Sequence, residues 1–407
     1  MDRPYAAATV TPKAERALRD GHPWVYGEEI TAWTGTPENG AVADVFSAKG
    51  RYLGSGFYND HSKIRVRILS RNTNDAFDEA FFRRRLRYAV DYRRAVMGAD
   101  FLCCRLIFGE ADGLPGLTVD RFGNILVTQT LCLGIEQRKP MLFTALREIL
   151  EEVGAPVRAI YERNDVALRL REGLQETTGF FRLPGLSDAL DGHVEITENG
   201  IRYDVDYVNG QKTGFFLDQK YNRAAVARIA QGRRVLDCFT HTGAFALNAA
   251  AGGAEHVCAV DVSEEALALA EANAVRNGLA DRMEFRCADV FDLLTDLAAG
   301  KRGGYDLIVL DPPAFTKSRA TVQNAVRGYK EINLKAMKLL PRGGFLATCS
   351  CSHFMTDALF RQMLQAAAAD ADVSLRQIEA RQQAPDHPIL WNVPETDYLK
   401  FYIFQIV

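Results

Sequence analysis

The sequence predicts an α/β protein: a doubly wound parallel sheet in the carboxyl-terminal half, preceded by a β-rich amino-terminal domain and a central mixed α/β domain. From about residue 214 onward, short apolar segments alternate with helix-length segments, which is typical of a parallel sheet covered by helices. Glycine-bounded segments with period-two alternation mark the first 72 residues as β-rich. The 407-residue length exceeds what one hydrophobic core fills, so we predict domains over 1–72, 73–190 and 191–407.

Composition excludes several classes of protein. With 47% hydrophobic and 25% charged residues the chain is ordinary for a globular protein, and its net charge of -3 argues against a uniformly basic nucleic-acid binder. No apolar run is long enough for a membrane span, and the amino terminus lacks the apolar core of a signal peptide. The eight cysteines show no zinc-type spacing. We therefore expect a cytoplasmic protein with reduced thiols, no metal and no membrane partner.

The amino-terminal region has a local excess of positive charge. Between residues 51 and 105 there are twelve Lys or Arg and only six Asp or Glu. Lys63, Arg65 and Arg67 alternate with aliphatic residues in a predicted strand. These cations either form a basic face or protect an edge strand from aggregation.

The central region is predicted to begin with an arginine-rich helix over 77–98. Arg83, Arg84 and Arg87 are among its cations. The apolar stripe predicted for this helix comprises Phe81, Phe82, Leu86, Ala89, Val90 and Val96. Its arginines are either part of an electrostatic surface or an ordinary solvated helix face.

The carboxyl-terminal region is predicted to begin with a β-hairpin over 193–209, because Asn199-Gly200 is a strong two-residue turn signal. The first buried strand, around Val235-Leu236, then ends at Asp237 and leads through Phe239 to Gly243, where a backbone can approach a ligand closely. In open α/β sheets, ligands bind beyond the carboxyl ends of such strands. Asp237 is otherwise a turn former or helix cap.

Two further predicted strands end in acidic residues. Asp261 follows the apolar strand 257–260, where a carboxylate can accept hydrogen bonds from both ribose hydroxyls of an adenosine, or simply cap a helix. Ser263 provides an N-cap for the helix that follows. Asp289 follows the strand 283–286 and either holds an adenine amino group or begins the next helix.

A fourth buried strand ends in Asp311-Pro312-Pro313. The two prolines stiffen the turn and fix the direction of Asp311, which suits it to orienting a substrate. Together the four strand ends resemble class I (Rossmann-like) S-adenosylmethionine-dependent methyltransferases over residues 205–407. The segment 210–223 resembles the part that closes over the methyl donor in a subset of RNA methyltransferases. The resemblance implies S-adenosylmethionine as cofactor and Phe216, Asp218 and Gln219 as part of its site, with Asp237, Phe239, Gly243, Asp261, Ser263, Asp289 and Asp311.

Two cysteines end another predicted strand, at Cys349 and Cys351. Carbon 5 of a pyrimidine is a poor nucleophile, and attack of a thiolate on carbon 6 makes it able to accept a methyl group. Such a thiolate must be accessible and stabilised by positive charge. Alternation sends the two side chains to opposite faces, so at least one should reach the ligand side. Both could otherwise be small buried hydrophobes.

Taken whole, the chain resembles the family of bacterial ribosomal RNA large-subunit methyltransferase I, RNA cytosine-5 methyltransferases with an N-terminal PUA domain. The matching stretches are Gly21–Val25, Tyr58–Ser70, Phe108–Leu117, Gly210–Arg223, Asp311–Pro313, Asp386–Pro388, Pro394–Glu395 and Tyr398–Lys400. The resemblance implies that Cys351 is the nucleophile. Other RNA cytosine-5 methyltransferases carry a second cysteine just after the Asp-x-Pro turn, where this chain has Ala314, so another group must release the adduct.

Two alternatives remain open at the level of sequence. Methyltransferases that act on an exocyclic amine place an aromatic residue directly after the Pro-Pro turn, whereas this chain has Ala314 there and Phe315 one position later. A non-catalytic RNA-binding protein would use only the basic amino-terminal half. The resemblance also implies RNA as partner, bound by the amino-terminal domain and by Arg83, Arg84 and Arg87, and homodimers occur in this family.

Overall fold

The computed structural model describes residues 3–300, 304–316 and 318–407. They form two compact units. The first comprises Met1–Ile196, Val205–Leu217 and Pro385–Thr396, and the second comprises Thr197–Asp204, Asp218–Ala384 and Asp397–Val407. The chain therefore passes from one unit to the other five times along its length.

The first unit begins with a six-stranded sheet. Its strands are β1 (Ala6–Val10), β2 (Trp24–Tyr26), β3 (Ile30–Thr34), β4 (Val42–Ser47), β5 (Tyr52–Tyr58) and β6 (Ile64–Ser70), in the order β2-β6-β5-β4-β1-β3. Only the β1–β4 pair among these is parallel. Helix α1 (Pro12–Arg19) begins at Thr11, whose hydroxyl accepts a hydrogen bond from Ala14 N, and it buries Ala14 and Leu18 in the core of this sheet.

Strand β6 carries Lys63, Arg65 and Arg67 at or near its start, and it lies inside the sheet between β2 and β5. The interpretation as an edge strand is therefore wrong, because period-two alternation reports which face is buried and not where a strand lies in its sheet. Arg67 pairs with Glu110 at 3.1 Å and with Glu172 at 2.8 Å. Lys63 is exposed and Arg65 is half-buried.

A second sheet of the first unit has the order β11-β10-β9-β8-β7. The elements of this part are α2 (Glu79–Met97), β7 (Cys103–Phe108), β8 (Leu117–Phe122), β9 (Ile125–Thr130), α3 (Leu133–Glu136), α4 (Lys139–Glu152), β10 (Ala159–Asn164) and β11 (Thr177–Phe180). The predicted apolar stripe of α2 is correct except at Val96, which is 38% exposed. Arg93 is buried instead, because its guanidinium forms two hydrogen bonds with the Asp112 carboxylate.

The predicted hairpin forms from β12 (His193–Glu198) and β13 (Ile201–Asp206), with Asn199 and Gly200 at positive φ in the turn. The remaining elements are α5 (Lys220–Ile229), β14 (Arg234–Cys238), α6 (Ala244–Ala251), β15 (His256–Asp261), α7 (Glu264–Arg276), β16 (Met283–Cys287), α8 (Val290–Ala299), β17 (Leu307–Leu310), α9 (Val322–Leu339), β18 (Phe345–Ser350), α10 (Asp357–Ala371), β19 (Leu375–Arg381) and β20 (Lys400–Ile406).

The second unit is built on a seven-stranded sheet in the order β16-β15-β14-β17-β18-β20-β19, in which β16 to β18 are parallel and β20 is antiparallel to both neighbours. One face packs against α8, α9 and α10, and the other packs against α5 and α6. β15 lies beside β14 on one side and β17 lies beside it on the other. The direction in which successive strands are added to the sheet therefore reverses between β14 and β17. In open α/β sheets the ligand crevice lies at this reversal, beyond the carboxyl ends of the strands.

Candidate active site

Asp237 lies at this reversal, on β14, and is 1% exposed. Its Oδ2 accepts hydrogen bonds from Thr240 Oγ1 at 2.5 Å and from Ala246 N at 2.9 Å, while Oδ1 has no hydrogen-bond partner among the described residues. Burial, together with the nearby charges of Asp311 and Asp261, raises the pKa of Asp237 to about 7. A buried carboxylate oxygen without a donor favours a ligand that brings positive charge or a hydrogen-bond donor.

The loop after β14 is strained. Phe239 has φ +64°, His241 has φ +52° and Gly243 has φ +80°. Left-handed conformations are unfavourable for the two residues that have side chains, at about 1–3 kcal/mol each, and such strain clusters at ligand sites. At Gly243 any Cβ would come within 2.9 Å of the Ala270 Cβ, so glycine lets this loop lie close against α7.

Asp261, at the end of β15, accepts hydrogen bonds from two backbone amides, His241 N at 2.8 Å and Ser263 N at 3.1 Å. Ser263 caps α7 by accepting from Ala266 N at 3.2 Å. Asp289 is exposed and caps α8, accepting from Phe291 N at 2.7 Å and from Asp292 N at 3.3 Å. In this structure Ser263 and Asp289 therefore both cap helices, as the capping interpretation of each predicted.

Asp311 follows β17 on the other side of the reversal. Gln219 Nε2 donates to its Oδ1 at 2.9 Å, and Tyr398 Oη donates to Asp218 Oδ2 at 2.7 Å. Desolvation, with a contribution from the charge of Asp218, raises the pKa of Asp311 to about 6. Asp218, Gln219, Asp237 and Asp311 thus form one acidic cluster.

The two cysteines of β18 have different surroundings. Cys349 is fully buried, and burial raises the pKa of its thiol. Cys351 lies one residue beyond the strand, is half-buried, and has its Sγ 3.9 Å from Pro312 O in the turn after β17. Of the two thiols, the one at Cys351 is therefore the accessible one, and it lies beside the turn that follows Asp311.

Lys400 was not among the predicted site residues, although a lysine at the head of a strand that is otherwise almost entirely apolar is unusual. It is 5% exposed, and its Nζ donates to Ser352 O at 2.7 Å and to Tyr398 O at 2.8 Å. Burial lowers the pKa of Lys400 to about 8, while the charges of Asp397 and of a Cys351 thiolate oppose this shift. Lys400 therefore places a buried amine close enough to Cys351 for their charges to interact.

Phe315, the aromatic residue nearest the Pro-Pro turn, is part of the packing of the second unit. Its ring lies 4.6 Å from the Tyr329 ring, 5.8 Å from Phe291 and 6.5 Å from Phe239, measured between centroids. It also contacts the backbone of α9 at Gly328, where a Cβ would come within 3.3 Å of it.

The predicted RNA-contacting arginines of α2 belong to the first unit, and each is ion-paired there. Arg83 pairs with Glu148 at 2.5 Å and with Glu152 at 2.6 Å, Arg84 pairs with Asp75 at 3.2 Å, and Arg87 pairs with Glu152. Their positive charges are thus largely compensated. Phe216 also lies in the first unit, where the Lys212 ammonium is 4.7 Å from its ring centroid.

Comparison with known proteins defines the class first. Residues 105–404 match the family described as S-adenosylmethionine-dependent methyltransferase, and residues 8–71 match a PUA-like domain. A protein from Streptococcus mutans that is provisionally named a SAM-dependent methyltransferase superposes with a TM-score of 0.81 at 21% identity, covering 98% of this chain and 99% of its own. Another structure of that class, solved with S-adenosylhomocysteine, gives 0.82 at 20% identity and the same coverage. The chain is an S-adenosylmethionine-dependent methyltransferase with a PUA-like domain.

The particular family follows from relatives that match nearly end to end. Ribosomal RNA large subunit methyltransferase I of Klebsiella pneumoniae is 40% identical over 97% of this chain and 96% of its own length. The protein of the same name from Erwinia tasmaniensis is 41% identical, and that from Escherichia coli is 40% identical, each over 97% of both chains. The chain belongs to the ribosomal RNA large subunit methyltransferase I family.

The described residues contain neither a candidate membrane span nor a candidate metal site. Across residues 3–300, 304–316 and 318–407, no helix is long and apolar enough to cross a membrane. Within the same ranges, no group of three or more His, Cys, Asp or Glu side chains could hold a metal ion.

Proposed function

We propose that this protein methylates carbon 5 of a cytosine in large-subunit ribosomal RNA through a covalent adduct with Cys351. The observation that carries this proposal is the half-buried Cys351 thiol next to the turn that holds Asp311. The names of the relatives support ribosomal RNA as the substrate. A homodimer, which the family resemblance also implies, stays a prediction.

The residues at the strand reversal fit S-adenosylmethionine. The partnerless Oδ1 of Asp237 and the acidic cluster around Asp311 suit a ligand that carries an ammonium and a sulfonium group. We assign Asp261 to the ribose, because it ends the strand next to β14. The remaining residues assigned to this site are Asp218, Gln219, Phe239, Gly243, Ser263, Asp289 and Asp311, while a cofactor role for Phe216, which lies in the first unit, stays a prediction. When bound, the cofactor supplies an electrophilic methyl group.

Cys351 would supply the nucleophile. Its thiolate adds to carbon 6 of the cytosine, the carbon 5–carbon 6 double bond opens, and carbon 5 becomes nucleophilic enough to accept a methyl group. A base then removes the carbon 5 proton, the double bond re-forms, and the thiolate leaves. Asp311, held by Gln219, would orient the base during these steps.

Lys400 would stabilise the thiolate from a fixed position. Its ammonium is held by two backbone carbonyls, which are neutral, so its positive charge remains available to the sulfur. A cation near a thiol favours the thiolate, which is the reactive form. Lys400 would thus act through Cys351 as a positioning residue and would not contact the RNA.

Methylation of an exocyclic amine is the second candidate, and the packing of Phe315 disfavours it. Such enzymes stack the extruded base on an aromatic side chain after the Pro-Pro turn. Here the Phe315 ring packs against three other aromatic rings. The chain also has a thiol, that of Cys351, beside the Pro-Pro turn, and methylation of an exocyclic amine does not require a thiol there.

The proposal is tested by methyl transfer from labelled S-adenosylmethionine to unmodified large-subunit ribosomal RNA, with the product nucleoside identified by mass spectrometry. We expect Cys351→Ala to abolish transfer, Cys349→Ala to retain it, and 5-methylcytosine to be the product. Cys349 is a control because it is a second thiol, two residues before Cys351, that is fully buried. Full activity of Cys351→Ala, or an N-methylated product, would refute the thiolate mechanism.

Lys400→Met tests the role of the ammonium separately. We expect the rate of transfer to fall while the affinity for the cofactor is retained, and the activity of the variant to recover as the pH is raised toward the ordinary pKa of a thiol, about 8.5. Loss of activity that is the same at every pH would indicate a purely structural role for Lys400.

A further inference from the structure

A second concave site lies wholly within the first unit. This cavity has a volume of about 380 Å³, which is within the range of about 300–1,000 Å³ for small-ligand sites. It is bordered by the turn before β2, the end of β6, the middle of α2, the turn after β7 and the segment 390–393. Three of the stretches that carry the family resemblance meet here or directly beside it, and the proposed methyl transfer uses none of them.

Two arginines of this cavity have no carboxylate partner in the part of the chain that the structure describes. Arg71 donates to His22 O at 3.2 Å, and Arg85 donates to Leu69 O at 3.2 Å. Arg85 also lies over the Phe81 ring, 5.2 Å from its centroid. Desolvation lowers the pKa of both guanidiniums, so each is a cation that a bound anion would stabilise.

The acidic residues of the same cavity are each ion-paired with another arginine. Glu110 pairs with Arg67 at 3.1 Å, and Asp112 pairs with the buried Arg93. Arg67 is shared with Glu172, at 2.8 Å. Among the described residues that line the cavity, Arg71 and Arg85 are therefore the cations without a carboxylate partner. This contrasts with Arg83, Arg84 and Arg87 on the same helix, whose charges are taken up by carboxylates.

Aromatic side chains lie exposed at the rim of the cavity. Tyr88 lines it and is 60% exposed, although it lies on a helix whose other face is well packed. Trp391 stands between two lining residues and is 96% exposed. Its segment is anchored by Asn392, whose Nδ2 donates to Gly21 O at 3.0 Å. An anchored segment that leaves a tryptophan almost fully in solvent offers a flat surface for stacking.

We infer that this cavity binds the RNA substrate, with Arg71 and Arg85 holding a backbone phosphate and with Trp391 and Tyr88 stacking on neighbouring unpaired bases. Guanidinium groups bind phosphate through paired hydrogen bonds, and unstacked bases in RNA are recognised by aromatic rings. The inference rests on the proposed function, because it takes RNA as the substrate. It places RNA recognition on different arginines from those that the sequence indicated.

The test measures the affinity of the full chain for an unmethylated fragment of large-subunit ribosomal RNA over a series of salt concentrations. We expect the double variant Arg71→Gln/Arg85→Gln to bind about tenfold more weakly and to reduce the salt-dependence slope by about 0.7–0.9, as for one lost phosphate contact. The matched control is Arg83→Gln/Arg87→Gln. It also removes two positive charges, both from α2, and should leave the slope unchanged.

Trp391→Ala tests the stacking contribution. We expect about tenfold weaker binding with an unchanged salt slope, because stacking is not a charge contact. In the otherwise unaltered protein, RNA should quench tryptophan fluorescence, and Trp391→Phe should remove most of that change. Cofactor affinity and melting temperature, measured on every variant, show whether each has folded.

The outcomes separate this inference from the proposed function. If the unaltered protein binds and methylates the RNA but the Arg71/Arg85 and Trp391 variants bind it equally well, the cavity is not the RNA site and the proposed function stands. If the control pair loses more affinity than the Arg71/Arg85 pair, the paired arginines of α2 are the contact surface and the inference is wrong. If the unaltered protein neither binds nor methylates the RNA, both proposals fail.

Discussion

Cofactor binding should depend steeply on pH, because the two carboxyl groups at the strand reversal titrate close to neutrality. Asp237 has a pKa of about 7 and Asp311 of about 6. A cationic ligand binds their ionised forms. For Asp237 alone the ionised fraction rises from about 3% at pH 5.5 to about 50% at pH 7.0, which predicts about 15-fold tighter binding. Asp311 would add at most about fourfold over the same range.

Isothermal titration calorimetry with S-adenosylmethionine, in the absence of RNA, measures this effect. The window from pH 5.5 to 7.0 lies below the pKa of an α-amino group, about 7.7–8.0, so the charge of the ligand changes little. Asp237→Asn should bind more weakly at pH 7.0 and should keep at most about a fourfold dependence on pH. Adding Asp311→Asn should remove the dependence altogether.

The raised pKa of Asp237 affects the stability of the unliganded protein in the opposite direction: affinity for the cofactor rises with pH, whereas stability falls. The folded-state pKa of Asp237 is raised, so the stabilisation that its proton provides is complete below about pH 4 and is lost as the pH rises through about 7. The melting temperature of the unliganded protein should therefore fall with pH more than that of Asp237→Asn. An affinity that is flat from pH 5.5 to 7.0, or equal pH dependence in both proteins, would refute the reasoning.

Three further substitutions have effects that can be estimated from single contacts. Gly243→Ala forces a side chain into φ +80° and within 2.9 Å of Ala270 Cβ, so differential scanning fluorimetry should show a loss of about 1–3 kcal/mol together with weaker cofactor binding. Arg223→Met removes the guanidinium that lies 2.5 Å from the buried Glu198 carboxylate and should destabilise the protein by about 3–5 kcal/mol in urea unfolding; adding Glu198→Gln should restore part of this. Asp386→Asn weakens the acceptor for Arg105 N at 2.8 Å, and its melting temperature should drop whereas that of the exposed Asp296→Asn should not.

The sequence predicted those parts of the fold that depend on local periodicity. The predicted helix 77–98 corresponds to α2 (Glu79–Met97), and the predicted strands 257–260 and 283–286 correspond to β15 (His256–Asp261) and β16 (Met283–Cys287). Parallel strands that are buried on both faces give continuous apolar segments, which cannot be mistaken for loops. The domain bounds 1–72, 73–190 and 191–407 stay a prediction.

The predictions that failed concern residues whose partners are distant in sequence. A repeat of apolar residues cannot show that Arg93 is buried through Asp112, nor that Val96 is exposed. Equally, it cannot show that Arg83 and Arg87 of α2 are paired with α4, whose carboxylates are about 65 residues away in sequence. Ion pairs formed by the fold decide which cations remain available, and a count of charges along the chain does not contain that information.

The residues of the candidate site show the same difference between what local sequence predicts and what depends on long-range pairing. Acidic residues at strand ends are visible in sequence because they interrupt apolar runs, and two of them, Asp237 and Asp311, do meet in the second unit. Asp218 and Gln219, from the segment before α5, join them there. The nearness of Lys400 to Cys351 depends on β20 pairing with β18 in an antiparallel register that places Ser350 opposite Lys400. Nothing local in the sequence fixes that register.

The five passages of the chain between the units have a consequence for synthesis. β20 lies between β18 and β19, so the seven-stranded sheet cannot be completed before the last residues of the chain are available. Asp386, which binds Arg93 and Arg105 of the first unit, also comes from the last 22 residues. Neither unit can therefore finish folding until residues 385–407 have been synthesised, and a nascent chain paused before residue 385 should be more sensitive to protease in both units than one that includes these residues.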